Sequence, residues 1–337
     1  PESVREDLRL RHLAGLATNE EDMKLPCLSR YCHKPDASFQ RILPVSPRIQ
    51  WDIDGGYCGS MSIQDIALGT GVWLSQQQVR DHAQPGGGHD SEILATNVDA
   101  ALKALKLEAE GFDYKNLPTP QADAYRAWIK KQLVAGNGVI WMIMLEGGHY
   151  PVYPGLPYGY YSHVEPVYGI LSNHPLTDDT FYDDDYLAHG TDVTVQTYYR
   201  RFDSLVAGVD SHNRSECGGG YLGFPCIFMD YGFGWAIKGP ADGRTDALPL
   251  SLSVDRSDEP DTRVGRKAVN MKATVTATML TSGNKYQLWR FNSTDTAFDY
   301  TGSPYHEFTA AASSYTFLDH NPILSSSATY YRCLPSK

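Results

Sequence analysis

The spacing of apolar residues changes character along this chain, and the order of the changes constrains its fold more than any single motif does. Between residues 58 and 135 apolar positions recur at helical spacing. Met61, Ile63, Ile66, Ala67 and Leu68 predict a partly buried helix over 58–68. Ile93, Leu94, Val98, Ala101, Leu102 and Leu105 predict another over about 90–107, capped by Asp90-Ser91. A third is expected over 121–135, where Gly136-Asn137-Gly138 stops it. Extended segments follow at 139–145, 163–171 and, after an acidic stretch at 178–185, 186–189. From about residue 248 the segments become short and alternating, at 250–254, 269–280, 286–292, 315–318 and 329–333. Thr281-Ser282-Gly283-Asn284 is a turn between two of them. Helices followed by strands predict an α+β domain, and the later run predicts a small all-β sandwich of the fibronectin or immunoglobulin kind. The expected division is an N-terminal extension over 1–45, a first domain over 46–247 and the sandwich over 248–337.

Charge excludes one large class of partner. Lys and Arg total 29 against 40 Asp and Glu, a formal net charge of −11. Sequence-independent nucleic-acid binding needs a positive surface, which this balance does not supply. The longest apolar run, 139–145, is far too short to span a bilayer, so no membrane span is expected.

The cysteines bear on compartment. Cys27 with Cys32, and Cys217 with Cys226, lie close together in loop-like stretches where small disulfide loops could close. Asn213-Arg-Ser and Asn292-Ser-Thr are acceptor patterns for N-glycosylation. The chain is rich in Tyr and Pro and begins at Pro1, as after removal of a leader. Together these features point to a secreted or extracellular glycoprotein, with a vacuolar location as the alternative.

The segment from Gln50 to Gln64 carries the chemistry. Cys58 stands at the expected start of a helix, where the positive end of the dipole favours thiolate, the nucleophilic form. Gln50, eight residues upstream, can reach back to donate to an oxyanion beside the Cys58 N–H. Gly59 leaves room there for a carbonyl. His163 opens a central strand and can serve as base, with a neighbouring strand supplying the residue that fixes its tautomer.

Tyr57-Cys58-Gly59-Ser60-Met61-Ser62-Ile63, followed by Gly71-Val72-Trp73-Leu74-Ser75-Gln76 and Val79-Arg80, resembles the start of the papain-like cysteine peptidases. Within that family it is similar to the bacteriocin-processing (double-glycine leader) branch. A Gly-x-Val-Ile-like strand at 138–140 and a strand running from His163 to Gly169 keep the same order. The resemblance covers about residues 45–200. It implies a papain-like domain, peptide or protein substrates, no metal or organic cofactor, Cys58 as nucleophile, His163 as base and Gln50 as oxyanion donor. The third member sits in that family on the strand pairing with the histidine strand. A hairpin that sets Leu171 opposite Asp184 places Asp192 opposite His163, with His189 and Asn173 as alternatives.

Other readings stand beside this one. Cys58 could be a structural thiol or a disulfide partner of Cys333. His163 could be a satisfied core histidine, with His149 as a rival base. The acidic stretch at 178–185 could bind calcium, although a solvated loop accounts for it without a ligand. No phosphate-loop lysine, His-Glu-x-x-His or Gly-x-Ser-x-Gly occurs. Two function classes follow: a secreted thiol peptidase, or a catalytically inactive extracellular binding or structural protein on the same fold. In either, the C-terminal domain is a candidate for contact with a glycan or cell surface, and the aromatic clusters at 150–161 and 221–235 could line a substrate or glycan groove where core packing does not use them. Acyl transfer on the same thiol is a variant of the first class.

Overall fold

The computed structural model describes residues 32–50, 56–83, 93, 97–113, 116–118, 121–147, 159–177, 180–191, 194–201, 234–256, 270–292, 297–324 and 328–336. Both helices and sheets are present, so the chain is α+β. The elements are β1 (Phe39–Ile42), α1 (Cys58–Leu68), β2 (Val72–Trp73), α2 (Gln76–Ala83), α3 (Val98–Ala104), β3 (Leu107–Gly111), α4 (Ala122–Ala135) and β4 (Gly138–Gly147). Then come β5 (Gly159–Ser172), β6 (Tyr186–Thr191), β7 (Thr194–Arg201) and β8 (Gly234–Pro240). The remainder is β9 (Leu250–Arg256), β10 (Asn270–Thr278), β11 (Lys285–Phe291), β12 (His306–Thr309), β13 (Ser314–Leu324) and β14 (Thr329–Pro335).

The chain forms two compact units that interleave in sequence. One takes the chain up to Leu43 together with Pro47–Ser62 and Glu110–Ala236; the other takes Pro44–Ser46, Ile63–Ala109 and Ile237–Lys337. These limits differ from the expected 1–45, 46–247 and 248–337. Residues 63–109 fall with the C-terminal strands because Val72 and Trp73 extend the sheet of β14, pairing with Tyr330 and Thr329. Leu68 and Trp73 also enter the same core as Leu252, Val275, Leu288 and Tyr331.

In the first unit, a sheet in the order β3-β8-β4-β5-β6-β7, with β1 also on β5, carries the architecture. β3 and β8 each continue into the second unit. Val139, Ile140, Trp141, Met142 and Ile143 are all buried, so β4 is covered on both faces and reads as a continuous apolar run rather than an alternating one. α4 precedes it and ends at Gly136, whose φ of 88° is left-handed. The N–H groups of Gly136 and Asn137 then donate to the carbonyls of Leu133 and Gln132 and close the last turn. Lys130 on α4 is fully buried and pairs with Asp185 at 3.0 Å, which ties the loop before β6 to the helix. Asp185 also accepts the Tyr182 N–H at 3.1 Å, and Asp184 pairs with His174. Asp184 and Asp185 of the acidic stretch thus meet the protein's own donors, while Asp178 and Asp179 lie outside the described residues.

In the second unit, β13-β10-β9 form one sheet and β12-β11-β14-β2 another. Alternate residues of both sheets supply a single core: Leu250, Leu252 and Val254 from β9, Ala273, Val275 and Ala277 from β10, Tyr286 and Leu288 from β11. Asp319 on β13 is buried and accepts the hydroxyls of Tyr305 and Tyr331, with Arg290 Nη1 at 3.2 Å. Burial pushes the Tyr331 phenol far up, so it remains a donor to that carboxylate.

The helix expected over 90–107 is observed only as the short α3. Leu105 and Lys106 leave helical geometry, with Lys106 at φ 52°, and β3 starts at Leu107. Asp90-Ser91, expected to cap it, lies outside the described residues.

Gly169 marks a close approach of three strands in the first unit. It pairs with Ile42 on one side and Ala188 on the other. A Cβ there would stand 2.9 Å from Ile42 Cγ1 and 3.0 Å from Ala188 Cβ. Gly169→Ala should therefore destabilise the protein by about 1–3 kcal/mol through overpacking. Equilibrium urea unfolding measures this, and an unchanged midpoint would mean that β1 and β6 can move apart.

Candidate active site

α1 begins at Cys58. The carbonyl of Tyr57 accepts the first helical bond, from Met61 N–H at 2.9 Å, so Cys58 occupies the first helical position. No acidic residue stands in that first turn to oppose the positive end of the dipole. Past Cys58 the helix is lined by buried residues, including Ser60, Met61, Ser62 and Ile63. Cys58 itself is partly exposed. A buried helix with one accessible residue at its N-terminus presents that residue alone to a reagent or substrate.

Gln50 is buried, and its Oε1 accepts the N–H of Tyr57 at 3.1 Å. The side-chain amide is thus oriented by its oxygen against the residue immediately before Cys58, and its NH₂ is the donor end of the same rigid group.

Ser62 lies one turn after Cys58, on the same helix face. Its hydroxyl oxygen is 2.8 Å from the Cys58 carbonyl and 3.1 Å from the Val164 carbonyl, and its one proton is shared between them. Val164 adjoins His163. The helix face that starts at Cys58 is therefore fastened to the stretch of β5 that carries His163. His163 is buried and pairs across β4 with Ile143.

The register beyond β5 corrects the expected placement of the third residue. Leu171 stands opposite Tyr186, not Asp184. A bulge between Val167 and Gly169 then shifts the ladder, so that Val167 faces His189. The pairing that set Asp192 opposite His163 is not the one observed. Asp192 lies outside the described residues, in the interval between β6 and β7, as His149 does beyond the end of β4. Of the alternatives, Asn173 is an exposed residue past the far end of β5, bonded to Asp184 and to Ser38 N–H. His189 is fully buried two strand positions beyond the level of Glu165, with Nδ1 3.1 Å from Gly190 O and 3.2 Å from Glu165 Oε2.

Glu165 is the residue that sequence reading passed over. It is fully buried, stands opposite Trp141 and accepts its indole N–H at 3.3 Å. The signal was present in the sequence: a carboxylate inside an otherwise apolar strand, two residues from the histidine and so on its face.

Among the described residues no group of three or more His, Cys, Asp or Glu side chains is arranged to hold a metal ion, and no helix is long and apolar enough to cross a membrane. No family model matches the chain, and no curated protein is found similar to it in sequence.

Cys58 and Cys333 are free thiols, whereas Cys32 is disulfide-bonded to a partner outside the described residues. Cys27, Cys217 and Cys226 also lie outside them. Cys333 is buried in the core of the second unit, and burial pushes its thiol up to about 12. It should stay protonated and unreactive throughout the neutral range. Iodoacetamide at pH 8 should thus modify Cys58 and spare Cys333 until denaturant is added. Peptide mapping reads both, and modification of Cys333 at a comparable rate in the native protein would contradict the assignment.

Proposed function

We propose that this protein is a papain-like thiol peptidase acting on peptide or protein substrates outside the cell. The observation that carries the reading is the fastening of the Cys58 end of α1 to β5 beside His163 through the Ser62 hydroxyl. The bond from Gln50 to the Tyr57 N–H supports it from the other side of Cys58. The secreted location rests on the cysteine pairs and acceptor triplets of the sequence, and the second unit is a sandwich domain in this reading.

Cys58 Sγ attacks the scissile carbonyl carbon as its proton resides on His163. The C=O π pair moves onto oxygen. That oxyanion lies between the Cys58 N–H, which has no intrahelical acceptor in the first turn, and the Gln50 amide NH₂. The C–N bond breaks, the leaving nitrogen takes the proton from His163, and a thioester to Cys58 remains. Water adds to the thioester carbon with His163 taking its proton, the thiolate leaves, and the carboxylic acid is released. An amine in place of that water gives acyl transfer by the same steps.

The two donors and the base separate experimentally. Alkylation by iodoacetamide is a displacement at saturated carbon and develops no oxyanion. Gln50→Ala should leave the alkylation rate of Cys58 unchanged and lower kcat/KM for a peptide substrate by about 10²-fold. His163→Ala should slow labelling of Cys58 by a peptidyl epoxide and abolish turnover. Cys58 labelled no faster than a free thiol, with no effect of His163→Ala, would instead favour an inactive extracellular binding protein on the same scaffold.

A further inference from the structure

We propose that Glu165 is the positioning residue for His163, in the place for which the sequence offered Asp192; this rests on the peptidase reading. His163 and Glu165 are alternate residues of β5, so their side chains leave the same face of the sheet about 7 Å apart along the strand. Both are buried. Their partners across β4, Ile143 and Trp141, are also on that face and carry no charge.

The arrangement around Glu165 holds it as a carboxylate. Its Oε2 accepts the Trp141 indole N–H and lies 3.2 Å from His189 Nδ1. His189 Nδ1 is also 3.1 Å from the Gly190 carbonyl, so both of its neighbours are acceptors and the ring proton resides on Nδ1. His189 Nε2 is buried with no hydrogen-bond partner among the described residues. His189 Nδ1 therefore orients the Glu165 side chain.

The other charged groups on or against this part of the sheet stand further off or are already paired. Arg200 on β7 faces Leu187, which in turn faces Ile170, two strands from β5 and on the order of 20 Å from the level of His163. Arg41 on β1 is opposite Ile170 as well, and Lys130 on α4 is paired with Asp185. α1 presents Cys58. A proton on His163 thus has the Glu165 carboxylate two residues along its own strand, and a negative charge at that spacing favours the protonated ring.

The test uses the full chain with Cys58→Ser, which removes the thiolate and leaves Glu165 as the nearest charge on the strand. The His163 imidazole is followed by NMR against pH, with its resonance assigned by loss in His163→Gln. Adding Glu165→Gln should lower the His163 titration midpoint by about one pH unit or more. Glu165→Asp, which keeps the charge, should recover most of the shift. An unchanged midpoint in Glu165→Gln overturns the proposal, because a residue that only fills the core would alter thermal stability and leave His163 titrating as before. If Glu165→Gln does not fold, a midpoint in the Cys58→Ser protein at or below the ordinary histidine value overturns it equally. Alkylation of Cys58 in the unmodified chain, compared with His163→Ala, reports separately on the peptidase reading. Loss of that dependence with the Glu165 effect intact would remove the peptidase and leave the pair.

Discussion

A single hydroxyl holds the candidate site together. Ser62 reaches from the second turn of α1 to two carbonyls, one belonging to Cys58 and the other to Val164. Beyond it the helix buries Ile63, Ile66, Ala67 and Leu68 together with the polar Gln64 and Asp65, and the Ser62 hydroxyl adds the bond to β5 that belongs to one rotational setting of the helix. That setting fixes which helix face meets β5, and hence where the partly exposed cysteine at the helix start stands relative to the strand bearing His163. Gln50 constrains the same point from the preceding loop through the Tyr57 N–H. The cysteine is thereby located by polar bonds on both of its flanks.

Buried charge performs a similar task elsewhere, in each unit separately. In the first, Lys130 and Asp185 are both fully buried, and the pair fixes the loop entering β6 to α4. Removing either partner would leave an uncompensated charge in the interior, at a cost of about 3–5 kcal/mol. Glu165 is engaged differently, its Oε2 meeting the Trp141 indole N–H and His189 Nδ1 in the sheet interior. In the second unit Asp319 collects two phenols and the Arg290 guanidinium. These groups add little net stability compared with an apolar core of the same volume. What they supply is a single permitted arrangement of strands and helix.

The elements legible in the sequence are those whose pattern is local. The helix over 58–68 and the strands that became β4, β5, β9, β10, β11 and β14 could be read because apolar spacing or a glycine stop defined them within a few residues. The turn at 281–284 is also present, with Gly283 at φ 86° and Asn284 N–H bonded to the Thr281 carbonyl. β2 is two residues long, β12 is the polar His306–Thr309, and β8 contains two glycines and ends at Pro240; each is a strand only because a distant partner pairs with it. The interleaving of the two units has the same origin, since nothing near Val72 announces pairing with Tyr330. Of the candidate site, the position of Cys58 at the start of a helix and of His163 on an inner strand was legible from local pattern. The third position was not, because a one-residue bulge between Val167 and Gly169 and a two-residue change in the hairpin leave no local trace. Glu165 shares the face of His163 by the period of two along β5, and its burial comes from the Trp141 and His189 side chains of the flanking strands.

Cys58 and His163 stand side by side as nucleophile and base in the proposed reaction, and a short bifunctional alkylating reagent measures their proximity directly. Dibromoacetone reacts first with a thiolate, and its second carbon then captures a ring nitrogen only if one lies within reach of the three-carbon bridge. Digestion and mass spectrometry should recover one intramolecular cross-link, joining the peptide of Cys58 to that of His163, with loss of the free thiol. A singly attached reagent on Cys58, or a bridge from Cys58 to any other histidine such as His149, would contradict the account.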